Sequence, residues 1–247
     1  MPPAAAPSGG FLGPFLNAGL FAQAIILLLL VMSVVSWAIV LRKLRQLRRA
    51  RQQTRRFLSV FGYRRRLGDY AKVAEELSQS PLSPLLLAGT REWLALREDF
   101  QGAGNVGDLL QQLMPNVTEA MERSASLETD RLQTSMPFLA ITTMVAPFLG
   151  LLGTVQGVLT TFLALRGNQM PTLQTIAPGI SDALVTTVMG LLVAIPAALF
   201  YNYFVSRVAD LQSEMERFAS ELTGIIRREM VESQADRTAN CRTTSVE

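Results

Sequence analysis

Asp182 is the only charged side chain between Arg166 and Arg207, and it sits in an otherwise apolar run, PGISDALVTTVMGLLVAIPAALFYNYF, over 178–204. Thr186 and Gly190 follow it at four-residue steps, the spacing of one helix face, and Thr187 lies beside them. A second run, Met136 to Leu165, has no charge and sets Gly150, Gly153, Thr154 and Gly157 close together. A carboxylate can take and release a proton. A hydroxyl does not titrate near neutral pH, but in a low-dielectric site it can hydrogen-bond water or a protonated carboxyl. The chemistry on offer is therefore proton handling between closely packed helices, with Asp182, Thr154, Thr186 and Thr187 as candidate pathway residues. The same residues have a second reading as polar glue between membrane helices, and Asp182, near one end of its run, as an interfacial acid. A carboxylate at mid-membrane costs about 2.5–3.5 kcal/mol, less toward the interface.

Other chemistries are excluded by what is missing. The chain has no histidine and one cysteine, Cys241, so imidazole relays, histidine metal sites, catalytic triads and internal disulfides are ruled out. No phosphate-binding loop followed by Lys-Ser/Thr is present. No enzyme, metal or cofactor is expected.

The elements that must hold these residues are membrane helices. Of 247 residues, 49% are hydrophobic and 17% charged, below the quarter usual in soluble domains. About 20 apolar residues cross a bilayer core. Three runs qualify: 19–41, 134–165 and 177–204, predicting an all-α integral membrane protein with three transmembrane helices. Residues 1–18 read as a short outer segment rich in Pro, Gly and Ala. After residue 41 come Arg42, Lys43, Arg45, Arg48, Arg49, Arg51, Arg55, Arg56, Arg64, Arg65 and Arg66, with no acid among them up to residue 66. Such a patch can bind nucleic acid. Beside a span it reads instead as cytoplasmic retention and contact with anionic lipid, so no nucleic acid is expected. The orientation that follows is N-terminus out and C-terminus in.

Residues 42–133 form a cytoplasmic helical region, with a cap at Asp69, breaks at Ser80-Pro81 and Ser83-Pro84, helix from Leu85 to Asp99 and a loop over 101–107. Leu109, Leu113, Val117, Ala120, Ser124 and Leu127 recur at helical spacing and lead toward Met136, so the second span is expected to carry a cytoplasmic extension. Residues 166–176 are an outer loop. Past 204 the stripe Val208, Leu211, Met215, Phe218, Leu222, Ile225 extends the third helix over 205–232, ahead of a polar, disordered tail at 233–247. Ser33 and Ser36 are expected to hydrogen-bond within or between helices. Gly153-x-x-x-Gly157 has the spacing that lets membrane helices approach closely, and Pro137, Pro147 and Pro196 are candidate bends. Three helices cannot enclose a polar stripe alone, whereas several copies around an axis can.

Two stretches carry a resemblance. VAPFLGLLGTVQGV (145–158) and IAPGISDALVTTVMGLLVAIPAALFYN (176–202) resemble the signatures of the second and third spans in the MotA/TolQ/ExbB proton-channel family, its TolQ and ExbB branches above all. Ser33 to Trp37 also fits. The sequence departs at Gln156, where tryptophan is usual, and at Asp182, where glutamate is usual. The resemblance implies a homo-oligomer, a pentamer, in the bacterial inner membrane. It implies a ring around the single spans of two copies of a TolR- or ExbD-like partner, whose span carries a proton-carrying aspartate, and a TolA- or TonB-like protein driven by proton flow. It maps pore residues onto Thr154, Thr187 and Asp182. Gly150, Gly153, Gly157 and Gly190, with Pro147 and Pro196, would shape packing around the partner helix. A gliding-motor stator of the same family is an alternative, as is a passive scaffold without an ion pathway.

Acidic replacements across 42–56 are expected to disturb the topology. Protease protection in oriented vesicles checks this: a wild-type basic segment found on the outer side would overturn the orientation.

Overall fold

The computed structural model describes residues 20–61, 74, 76–99, 106–165 and 173–244. Five helices make up nearly all of them: α1 Leu20–Phe61, α2 Leu82–Asp99, α3 Val106–Gln133, α4 Met136–Leu165 and α5 Leu173–Thr244. The expected outer segment, the Asp69 cap, most of the 101–107 loop and the outer connector over 166–172 lie outside the described residues. Three helices, Leu20–Phe61, Met136–Leu165 and Ile176–Arg228 within α5, contain stretches long and apolar enough to cross a membrane. The all-α, three-span architecture is therefore present. The chain divides into two compact units, Met1–Arg42 with Ser135–Phe204, and Lys43–Thr134 with Val205–Glu247.

The first unit holds the spans. A helix satisfies its own backbone groups, which in hydrocarbon have no water to bond. Ile25 and Leu29 of α1 pack with Ala146 of α4 and with Val193 and Ala194 of α5. Further along, the rings of Trp37 and Phe200 meet edge to face at 5.7 Å. Pro137 falls in the first turn of α4, where its missing N–H has no helical partner to lose. Pro147 and Pro196 lie inside α4 and α5, and both helices run unbroken through them. Ser36 does not meet its expectation: its hydroxyl is buried and finds no partner among the described residues.

The second unit is an ordinary hydrophobic core. Leu47, Ala50, Thr54, Phe57 and Phe61 of α1 are buried at alternating steps of three and four. Phe57 and Phe61 join Leu82, Leu85, Leu86 and Trp93 of α2, Met114, Val117 and Met121 of α3, and Met215, Phe218, Leu222 and Ile226 of α5 in one core. Phe57 and Phe218 pack edge to face at 5.4 Å. The predicted stripe on α5 is thus buried from Val208 to Leu222, with Ile226 rather than Ile225 completing it. On α3 the prediction drifts: Met121, not Ala120, continues from Val117, and Leu127 is 70% exposed. Helix α2 begins at Leu82, earlier than expected, because Ser80 Oγ accepts the Leu82 N–H at 3.3 Å and Pro84 falls in the first turn.

Two further expectations are corrected. The extension of the second span is a separate helix. Helix α3 ends at Gln133, the Thr134 N–H closes on Asp130 O at 3.0 Å, and Ser135 takes a left-handed φ of 70° before α4 starts. The first span, like the third, runs on without a break, to Phe61. Nor does the chain lose helical order at 233, since α5 continues to Thr244; SQADRTANCRTT contains neither glycine nor proline to stop it.

Lys43 is buried at 4% exposure. Its ammonium donates to Leu132 O at 2.8 Å and to Gln46 Oε1 at 3.1 Å. Leu132 O lies in the last turn of α3, where carbonyls lack a helical N–H, so the lysine caps that helix.

Phe218→Ala should destabilise the protein by about 3–5 kcal/mol, whereas Leu127→Ala should change stability by no more than about 0.5 kcal/mol. Thermal unfolding of the detergent-purified protein, followed by circular dichroism, measures both.

Candidate functional site

Helices α4 and α5 run antiparallel and touch along a seam of small residues. A side chain at Gly153 would collide with the Thr186 hydroxyl and meet its Cβ at 2.6 Å. One at Gly157 would meet Ala183 Cβ at 2.7 Å. One at Gly190 would lie 2.6 Å from Ala146 O and 3.1 Å from Gly150 Cα, both backbone atoms. At Gly150 the neighbours are again backbone, Thr186 O at 2.9 Å and Thr187 Cα at 3.0 Å. These four glycines therefore serve close contact between two spans of the same chain. The small-residue spacing was visible in the sequence, but which neighbour it fitted was not. Pro147 and Pro196 are half-buried in the same two helices.

The threonines divide by position. Thr186 is fully buried in the seam, with its hydroxyl 2.7 Å from Ala183 O and 3.2 Å from Gly150 O. Thr187 is half-buried and donates to Gly150 O across the seam at 3.1 Å. Thr154 is half-buried and donates to Leu151 O at 2.7 Å. A threonine has one hydrogen to give. The shorter contact assigns that of Thr186 to Ala183 O, leaving Gly150 O to Thr187.

Helix geometry sorts the flanks. Thr154 and Thr187 each come one residue after a seam contact, at Gly153 and Thr186. In an antiparallel pair, those two positions fall on the same flank at the same level. Gln156 and Asp182 each come one residue before a contact, at Gly157 and Ala183, and so share the opposite flank. Leu149 and Met189 also precede contacts, at Gly150 and Gly190, and they pack with Ile25 and Leu29 of α1. The structure thus brings Thr154 and Thr187 together and sets Thr186 between the helices. Asp182, half-buried, lies on the side of the first span. The i, i+4, i+8 line from Asp182 through Thr186 to Gly190 shares one broad face, but only its last two members are buried. Among the described residues there is no group of three or more His, Cys, Asp or Glu able to hold a metal.

The model of one protein family, the MotA/TolQ/ExbB proton channel family, matches residues 78–217, which include the whole of the α4–α5 seam. The chain belongs to the MotA/TolQ/ExbB proton channel family. It is 33% identical to the Tol-Pal system protein TolQ of Haemophilus influenzae over 224 residues, 89% of this chain and 94% of the relative. It is likewise 33% identical to the TolQ of Pseudomonas aeruginosa over 220 residues, covering 87% and 91%. It is 26% identical to the biopolymer transport protein ExbB of Pseudomonas putida over 233 residues, covering 92% of this chain and 66% of the relative. Within the MotA/TolQ/ExbB family the chain is TolQ/ExbB-like, a multi-pass inner-membrane protein of the channel and motor class rather than an enzyme.

Gly190→Ala should reduce the stability of the spanning unit, because the carbonyl it strikes cannot yield without separating the helices. Gly224, with nothing within 4 Å of its added Cβ, is the control: Gly224→Ala should stabilise α5 by about 0.5–1 kcal/mol. Paired melting curves in one detergent compare the two.

Proposed function

We propose that this chain is the stator subunit of a motor driven by the proton-motive force, of TolQ/ExbB type. In this reading it lies N-out and C-in, and five copies ring the single spans of two copies of a TolR- or ExbD-like partner. Proton flow through the ring then energises a TolA- or TonB-like protein acting on the outer membrane. The basic run at 42–66 fixes orientation and touches anionic lipid where it leaves the bilayer.

One observation carries the reading. Thr154 and Thr187 share a flank outside the seam, and both have given their hydrogens to carbonyls of their own chain. What each hydroxyl presents outward is therefore lone pairs. In a low-dielectric pathway, such an oxygen accepts from a protonated carboxyl or a water donor and offers nothing to a bare carboxylate. A partner carboxyl facing this flank is held in its protonated, neutral form and favours release on leaving it. Each proton crossing releases about 2.3 kcal/mol per 100 mV, which alternating protonation can couple to movement of the partner helix. Thr186 fixes the spacing of the two helices. Asp182, on the opposite flank, is assigned to the entrance of the pathway, where it draws cations without carrying the proton between sites.

The test is Thr154→Val with Thr187→Val in the full complex, reading proton-dependent envelope energisation alongside assembly. Loss of output with assembly intact, recovered by Thr→Ser at both positions, is expected. Normal output would leave a passive scaffold. Asp182→Asn should impair output less than removal of the partner's carboxylate, and equal loss with intact assembly would make Asp182 the carrier. A gliding-motor stator would use the same residues, and the partner that copurifies separates that role from this one.

A further inference from the structure

The polar face of α1 holds an unusual charge imbalance. Arg45, Arg48, Arg49, Arg55 and Arg56 are all exposed. Among the described residues, ion pairs join Arg123 to Glu119, Arg131 to Glu128 and Arg207 to Asp210, and none reaches these arginines. Lipid accounts for the first of them only. Arg55 and Arg56 come fourteen and fifteen residues after Leu41, where the apolar run ends. At 1.5 Å per residue that is about 20 Å along the helix, more than two Debye lengths at physiological salt.

Acids do stand level with them within the same unit. Lys43 reaches Leu132 O, which fixes the register of α1 against the oppositely running α3. Twelve residues onward from Lys43 is Arg55, and twelve residues back from Leu132 is Ala120, with Glu122 two residues away. Phe57 meets Phe218, which fixes α1 against α5. Two residues earlier on each helix stand Arg55 and Glu216. Glu122 and Glu216 are exposed, and no ion pair holds either among the described residues. The opposite charges thus share a height but occupy separate faces. Rotation about an axis running along the helices preserves height, so it delivers the acids of one copy to the arginines of the next.

We propose that Arg55 and Arg56 of one copy pair with Glu122 and Glu216 of the adjacent copy, forming a belt of ion pairs between identical subunits. The inference rests on the ring reading given above and names the surfaces that close it. Pairs of this kind set register and the choice of neighbour more than raw affinity.

The experiment uses the full chain with Cys241→Ser, purified in detergent, in three forms: Arg55→Glu with Arg56→Glu, Glu122→Arg with Glu216→Arg, and all four together. Native mass spectrometry at low salt should show each double reversal lowering the ratio of ring to monomer several-fold, with the fourfold exchange restoring it. High salt should shrink the difference. In the same background, Arg55→Cys with Glu216→Cys should give a ladder of disulfide-linked oligomers on a non-reducing gel, a readout that introduces no repulsive charge. Rings that form equally in every variant, with no ladder, overturn the belt and leave the ring reading standing. A wild-type chain that stays monomeric overturns both. Reversal at Arg55 and Arg56 that weakens only retention on phosphatidylglycerol vesicles, with rings unchanged, overturns the belt in favour of a lipid surface.

Discussion

Inside a bilayer, two helices gain nothing by hiding apolar surface from each other, because lipid is as apolar as leucine. What holds them is close backbone approach and hydrogen bonding across the gap. The α4–α5 seam meets both conditions. Gly190 sits against Ala146 O and Gly150, and Gly150 O receives the Thr187 hydroxyl from the facing span. The position of every pathway candidate on these two helices follows from that contact. Widening it by one methyl group would shift Thr154 relative to Thr187 and break their shared flank.

The two units meet the burial requirement in opposite ways. The second hides Phe57, Phe218 and Leu222 completely, or within a per cent of it, as a protein in water must. In the spans, by contrast, only about a third or less of each apolar window is buried, and Phe148, Met144 and Leu199 are each about two-thirds exposed or more. A surface of that kind suits hydrocarbon or the apolar flank of another span, and against it the half-buried Thr154 and Thr187 on one flank of the seam, and Gln156 and Asp182 on the other, stand out as polar.

Much of this was legible in the sequence because it is periodic or compositional. Apolar length located the spans, and the three-four alternation from Val208 to Leu222 located a buried stripe. What escaped was decided by tertiary contact. The glycines announced close approach but not that the neighbour would be the next span of the same chain. Lys43 read as one more member of a basic run that orients the chain and touches anionic lipid, yet it is buried and caps α3. The junction at Thr134–Ser135 carries no glycine or proline, so a continuous helix was the natural expectation until the left-handed Ser135 interrupted it. Leu127 fitted the helical period of α3 and is nevertheless exposed, since a period fixes which residues share a face but not which flank of that face meets a neighbour.

The carbonyl of Gly150 has two threonine hydroxyls within reach and needs only one, with that of Thr186 standing 3.2 Å away as an understudy. If the Thr187 hydrogen swings outward, Thr186 can turn from Ala183 O to Gly150 O, and the seam stays bonded. The bond across the seam therefore has a reserve, and the spacing of α4 against α5 does not hang on one hydroxyl alone.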